Sequence, residues 1–205
     1  MQLFSDYERD AIVEVFNIGV GRAAASLSEM VKQEVAMSLT RVELQSCDKA
    51  VTEFVGSGIS AVRGVRERFD GPLAGSALLI LPRNKSLELV RLLIQDESDS
   101  DFLSEMEEEA LVEVGNILLN ACLSSVATVV GEEIANQIPV SVSGELSDVV
   151  TNTGFAESAE MVLNLGVEFN VKGVDLSGCI SLLMDIESID IFRQKLAEYF
   201  GFDAA

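Results

Sequence analysis

Two stretches decide how this chain folds: S-D-Y-E-R-D-A-I-V-E-V-F-N-I at residues 5–18 and S-E-M-E-E-E-A-L-V-E-V-G-N-I at residues 104–117. Sliding the sequence by 99 residues lays one over the other, so that Ser5, Glu8, Ala11, Glu14, Val15, Asn17 and Ile18 meet identical residues at 104, 107, 110, 113, 114, 116 and 117. The likeness runs on to residues 40 and 139. After a further shift of four it resumes, with G-S-A-L-L-I-L-P (75–82) over G-C-I-S-L-L-M-D (178–185). Agreement sustained at a fixed offset marks a tandem duplication, with repeats of about 1–99 and 100–205.

Each repeat can be read by its period. Ser5-x-x-Glu8 and Ser104-x-x-Glu107 are capping boxes, in which hydroxyl and carboxylate satisfy free amides at a helix start. Ala11, Ile12, Val15, Ile18 and Gly19 form one apolar stripe behind the first box, and Ala110, Leu111, Val114 and Leu118 another behind the second. A further helix is expected over Ala23–Lys32, after a break at Gly19-Val20-Gly21, with a counterpart ending at Gly131. Alternating runs predict three strands per repeat, Val35–Leu44, Val51–Ser60 and Ala74–Leu81, then Val140–Val149, Glu160–Val171 and Leu176–Asp185. Leu87–Gln95 and Ile189–Phe200 close the repeats as helices, residues 95–101 read as an acidic linker, and the Arg63, Arg66, Arg68 cluster reads as a hairpin loop. The expectation is an α/β protein with pseudo-two-fold symmetry, its helices packed on a mostly antiparallel sheet, forming one domain over 1–205.

Composition bounds the function. With 205 residues, 48% of them apolar, the chain can fill a core. Its 34 Asp and Glu against 14 Lys and Arg give a net charge of −20, which speaks against a nucleic-acid partner and against an anionic membrane surface. The imbalance is concentrated: residues 100–205 hold 3 basic and 19 acidic side chains, which suits a basic partner. There is no histidine, which removes Ser-His-Asp and Cys-His catalysis and histidine-ligated zinc. Cys47, Cys122 and Cys179 are odd in number and widely spaced, so neither a disulfide framework nor a cysteine metal site is expected, and a reducing cytoplasm fits. The opening M-Q-L-F-S-D-Y-E-R-D lacks the basic start of a signal peptide. The apolar run Leu111–Val130 is broken by Glu113, Asn116 and Asn120 at helical spacing, and reads as a core helix rather than a membrane insertion.

Opposite the first apolar stripe, Asp10, Glu14 and Asn17 line up along one helix face, and Glu109, Glu113 and Asn116 do so in the second repeat. A polar residue on a solvated face is unremarkable singly. Its retention in both repeats is not, because exposed positions drift after duplication and Asn is a mediocre helix former.

The pattern (Asp/Ser)-x3-Glu-x2-Asn, followed after 22 residues by Pro, resembles the signature of the CheC-type chemotaxis phosphatase family (CheC, CheX, FliY), and the two-copy layout resembles its CheC branch. Asp10, Glu14 and Asn17 match the first copy, and Glu113, Asn116 and Pro139 the second; Thr40 stands in place of the first proline and Glu109 in place of the second Asp or Ser. The resemblance implies a CheC-like fold and hydrolysis of the aspartyl phosphate of a CheY-like response regulator, in chemotaxis or two-component signalling. Glu14, Asn17, Glu113 and Asn116 would be catalytic, with Asp10, Glu109 and Pro139 in support. No cofactor of its own is implied, the Mg2+ belonging to the receiver domain. A CheD-type deamidase is a further possible partner. The alternative reading is a non-catalytic module that binds a receiver, a flagellar-switch component or CheD.

Overall fold

The computed structural model of the chain describes residues 4–56, 61–94, 105–151, 161–171 and 174–202. Helix α1 (Asp6–Val31) begins with the expected capping box: the Glu8 amide donates to Ser5 Oγ, and the Ser5 amide donates to Glu8 Oε2 at 2.8 Å. It then runs unbroken through Gly19-Val20-Gly21, where two helices were expected. Gly19 serves a crossing instead of a break. A Cβ there would lie 2.8 Å from the carbonyl oxygen of Ala121, so only glycine lets helix α4 (Glu105–Val130) approach this closely. Helix α4 is likewise continuous, and buries Leu111, Leu118, Leu119, Cys122 and Val126 in the core. Ser104 and the linker at 95–101 lie outside the described residues.

The remaining elements are β1 (Val35–Ser46), α2 (Cys47–Gly56), β2 (Ala61–Asp70), β3 (Gly75–Pro82) and α3 (Arg83–Ile94), then β4 (Ala135–Asn136), β5 (Val140–Glu145), α5 (Leu146–Thr151), β6 (Met161–Val171), β7 (Val174–Met184) and α6 (Ile186–Phe200). Three expectations fail here. The strand expected over Val140–Val149 ends at Glu145, and Leu146–Thr151 is helix α5. The segment expected as a strand from Val51 is helix α2 up to Gly56, and residues 57–60 lie outside the described residues. The arginine cluster is not a loop but strand β2. Its residues Arg63, Val65, Glu67 and Phe69 share the face beneath α4, where a Cβ on Gly115 would lie 2.4 Å from Val65 Cβ. Two charged residues at inward positions hide the apolar alternation that marks a strand.

The sheet order is β1-β6-β7-β3-β2, with β2 then pairing both β5 and β4, every pair antiparallel. Matching elements by the repeat makes this order a palindrome, in which β1 pairs β6 of the other repeat while β5 pairs β2. At the centre Leu78 stands opposite Ser181, its own counterpart at the offset of 103. Neither repeat completes its sheet alone. Helices α1, α3, α4 and α6 cover one face over the main core, and a smaller cluster containing Val62, Leu78, Leu146, Val162 and Leu183 lies on the other face, with α2 and α5. Burial on both faces is why β3 reads as an unbroken apolar run.

Two buried ion pairs repeat the exchange. Arg193 of α6 donates from Nε to Glu8 Oε1 at 2.7 Å and from Nη2 to Oε2 at 3.2 Å, while Arg91 of α3 donates from Nε to Glu107 Oε1 at 2.7 Å. Both glutamates are almost fully buried. Burial alone would raise the Glu8 pKa, but the hydrogen bonds from Arg193 and Ser5 outweigh it and hold the carboxyl below its ordinary value. Glu67 is the opposite case: burial pushes it up to about 7, and its Oε2 has no hydrogen-bond partner among the described residues.

The signs differ accordingly. Glu8 contributes stability above its unfolded pKa that is lost as pH falls through its depressed folded pKa. Glu67 keeps its proton in the folded protein and loses it in the unfolded chain, so it lowers stability as pH rises from about 4.5 to about 7. Glu67→Gln is therefore expected to match the native chain near pH 4.5 and to exceed it at pH 8 by up to about 3 kcal/mol in urea unfolding. Arg193→Ala, which strands a buried carboxylate, is expected to cost about 3–5 kcal/mol at pH 7 by the same measurement.

Candidate functional site

The first face lies on α1. Asp10, Glu14 and Asn17 are all exposed, and the Asn17 side chain makes no hydrogen bond to another described residue. Beside them a shallow hollow is lined by Arg9 and Val13 of α1 and by Leu39–Glu43 of β1. Thr40 sits there, at the point where the β1–β6 register slips between Leu39 and Arg41. The slip is a bulge that bends the strand under the helix.

The second face lies on α4, where Glu109 and Glu113 are exposed but Asn116 is half-buried. Full exposure of both Glu–Asn pairs was expected. The difference comes from two residues that the sequence reading did not single out as functional. Asn120, one turn on, donates from Nδ2 to Asn116 Oδ1 at 2.6 Å and to the Asn116 carbonyl at 2.9 Å. Asn136 of β4 donates from Nδ2 to Asn120 Oδ1. The i, i+4 spacing of Asn116 and Asn120 was a legible signal for the first contact. The second depends on the sheet and had no local signal.

Pro139 falls where this strand is interrupted. The Gln137 amide donates to the Arg68 carbonyl at 2.9 Å, and regular pairing resumes at Val140 opposite Arg66. Proline has no amide to give the ladder, so Ile138 and Pro139 leave it and Ile138 stands 87% exposed. The two repeats thus break the same strand beside the same helix, by a bulge at Thr40 and by a proline at 139.

Both faces are open helix surfaces, and neither encloses a cavity. Among the described residues no three His, Cys, Asp or Glu side chains are placed to hold a metal ion. A carboxylate and an amide one turn apart on an open helix supply one negative charge, one donor pair and one acceptor. That set cannot enclose a small molecule, but it can complete a site whose other groups arrive on a docking partner.

No protein-family model matches the chain. It is 29% identical over 157 residues to the CheY-P phosphatase CheC of Bacillus subtilis (strain 168), an alignment covering 75% of this chain and 74% of that one. Among solved structures, its fold is similar to that of Thermotoga maritima FliY, with a TM-score of 0.75 and 21% identity over 98% of both chains. It is also similar to a chain of the CheX–CheY–BeF3–Mg2+ complex from Borrelia burgdorferi, with a TM-score of 0.51 and 20% identity over 84% of this chain and 97% of that one.

Proposed function

This chain belongs to the CheC/CheX/FliY family, and we propose that within it the chain hydrolyses the aspartyl phosphate of a CheY-like receiver domain. The observation that carries this reading is the pair of outward-facing Glu–Asn faces, on equivalent turns of α1 and α4. The relative from Bacillus subtilis is a phosphatase of CheY-P, and the CheX complex holds CheY with BeF3 and Mg2+. Both concern those proteins, and both make a receiver the natural partner to test.

The chemistry suits the residues. Phosphoryl transfer to water asks mainly for positioning and for stabilisation of charge. An Asn side chain can donate to one group and accept from another at once, which lets Asn17 or Asn116 hold a water in line with the phosphorus. Glu14 or Glu113, one turn earlier, pairs with a lysine beside the phosphorylated aspartate and so seats the amide. The Mg2+ that offsets the phosphoryl charge is assigned to the receiver, and no covalent intermediate forms on this chain.

The assay is loss of phosphate from a receiver charged by acetyl phosphate with Mg2+. Asn116→Ala is expected to leave roughly a fifth of the activity and Asn17→Ala roughly four-fifths, with the double variant at the receiver's own rate and its circular dichroism unchanged. Full activity in the folded double variant would sink the mechanism. Charge gives a second test. With docking at the first face blocked by Glu14→Lys, Glu113→Lys is expected to weaken receiver binding about tenfold more than Glu113→Ala, because it sets like charges together. Equal dissociation constants would mean that Glu113 does not face a cation.

A further inference from the structure

The two faces carry the same Glu–Asn pair, yet only one Asn is held. Asn136, Asn120 and Asn116 form a head-to-tail relay in which each Nδ2 donates to the next Oδ1. At the repeat offset, the first face has Gly21 where the second has Asn120, and Met37 where it has Asn136. The frames are otherwise equivalent: Asn136 stands opposite Phe69 in the sheet, and Met37 opposite Phe169. A Cβ built on Gly21 meets nothing within 4 Å, so the first face has room for such a relay and lacks its members.

Resting on the phosphatase reading above, we propose that Asn120, braced by Asn136, is a positioning residue of the second site. It takes Asn116 Oδ1 as its acceptor and so fixes which end of that side-chain amide faces a docked receiver. Oδ1 and Nδ2 lie on opposite sides of Cγ, so an Oδ1 turned toward Asn120 turns Nδ2 away from it. One lone pair of Oδ1 stays open to a water proton. The second bond from Asn120, to the Asn116 carbonyl, fixes its own rotamer and makes the clamp rigid. Donation along a chain of amides also polarises the last one, making Asn116 Nδ2 a better donor to the phosphoryl oxygens. Asn17, without this, has to order its side chain when the receiver docks.

The test isolates the second site with Asn17→Ala. In that background Asn120→Ala is expected to lower kcat for receiver dephosphorylation about tenfold, since a misplaced reacting group is costly in rate. KM stays within about twofold, because Glu113 and the docking surface are unchanged. Asn120→Asp, which still accepts from Asn136 but has no hydrogen to give Asn116, is expected to lose as much. Conversely, Gly21→Asn with Met37→Asn, in the Asn116→Ala background, is expected to raise kcat of the first site. A second readout needs no receiver: the side-chain amide signal of Asn116 in a 15N relaxation experiment, identified by its loss in Asn116→Ala. It is expected to be rigid in the native chain and to become as mobile as that of Asn17 in Asn120→Ala. A mobile Asn116 amide in the native chain, a kcat within about twofold for Asn120→Ala, or a fall carried by KM alone would each overturn the clamp. Absence of turnover by the native chain would overturn the phosphatase reading instead, and the amide signal alone would then decide the clamp.

Discussion

Everything at the two faces depends on the crossed ion pairs Glu8–Arg193 and Glu107–Arg91. Each glutamate sits in the first turn of a face-bearing helix, and each arginine comes from the last helix of the other repeat. A buried pair of this kind adds little net stability, since desolvation offsets much of the attraction, but a broken one is severe. What it fixes is rotation. A helix pinned by a bidentate contact at its start cannot turn about its axis, and a turn of even one position would carry Glu14 or Glu113 off the outer face. Glu8 does this while also closing the capping box, so one carboxylate sets both where α1 begins and which way it faces.

The same exchange governs the sheet. Because β1 pairs with β6 and β5 with β2, each repeat supplies the edge strand of the other. The interrupted strand beside each face therefore belongs to the same repeat as the face but is hydrogen-bonded to the opposite repeat. Symmetry in the frame leaves room for the two faces to differ locally, and they do: a bulge against a proline, and Gly21 against Asn120.

Much of this was legible in the sequence, and what was not has physical causes. The capping box at Ser5, the long apolar stripes and the duplication gave the helices that carry the faces, together with the residues on them. Strand β2 was missed because Arg63 and Glu67 occupy inward positions that alternation reserves for apolar side chains, and burial there pushes the Glu67 pKa up to about 7. Gly19 was read as a breaker because local propensity does not know of the crossing with Ala121. The segment after Val51 fits either period, and the structure has it as helix up to Gly56. At the site, Glu14, Asn17, Glu113 and Asn116 were read from their spacing. Asn136 could not be, because it joins Asn120 only once β4 has paired with β2.

Charge separates the faces as much as hydrogen bonding does. The first face has Arg9 and Arg22 on the same helix and Arg41 on the adjoining strand, all exposed; the positions at the repeat offset are Glu108, Ala121 and Val140. Around Asp10 and Glu14 the field of the carboxylates is therefore partly offset. On α4 those three cations are absent and Glu108 adds a carboxylate beside Glu109 and Glu113, which Arg63 of β2, near Glu107 and Glu108, offsets only in part. A partner presenting a lysine is drawn more strongly to the second face, and that preference fades as salt shortens the range of the field. The more attractive face is also the one whose amide is already held. A lysine-bearing partner steered to α4 would meet an amide that the relay from Asn136 already holds, so the two asymmetries act in the same direction on a frame that by itself favours neither side.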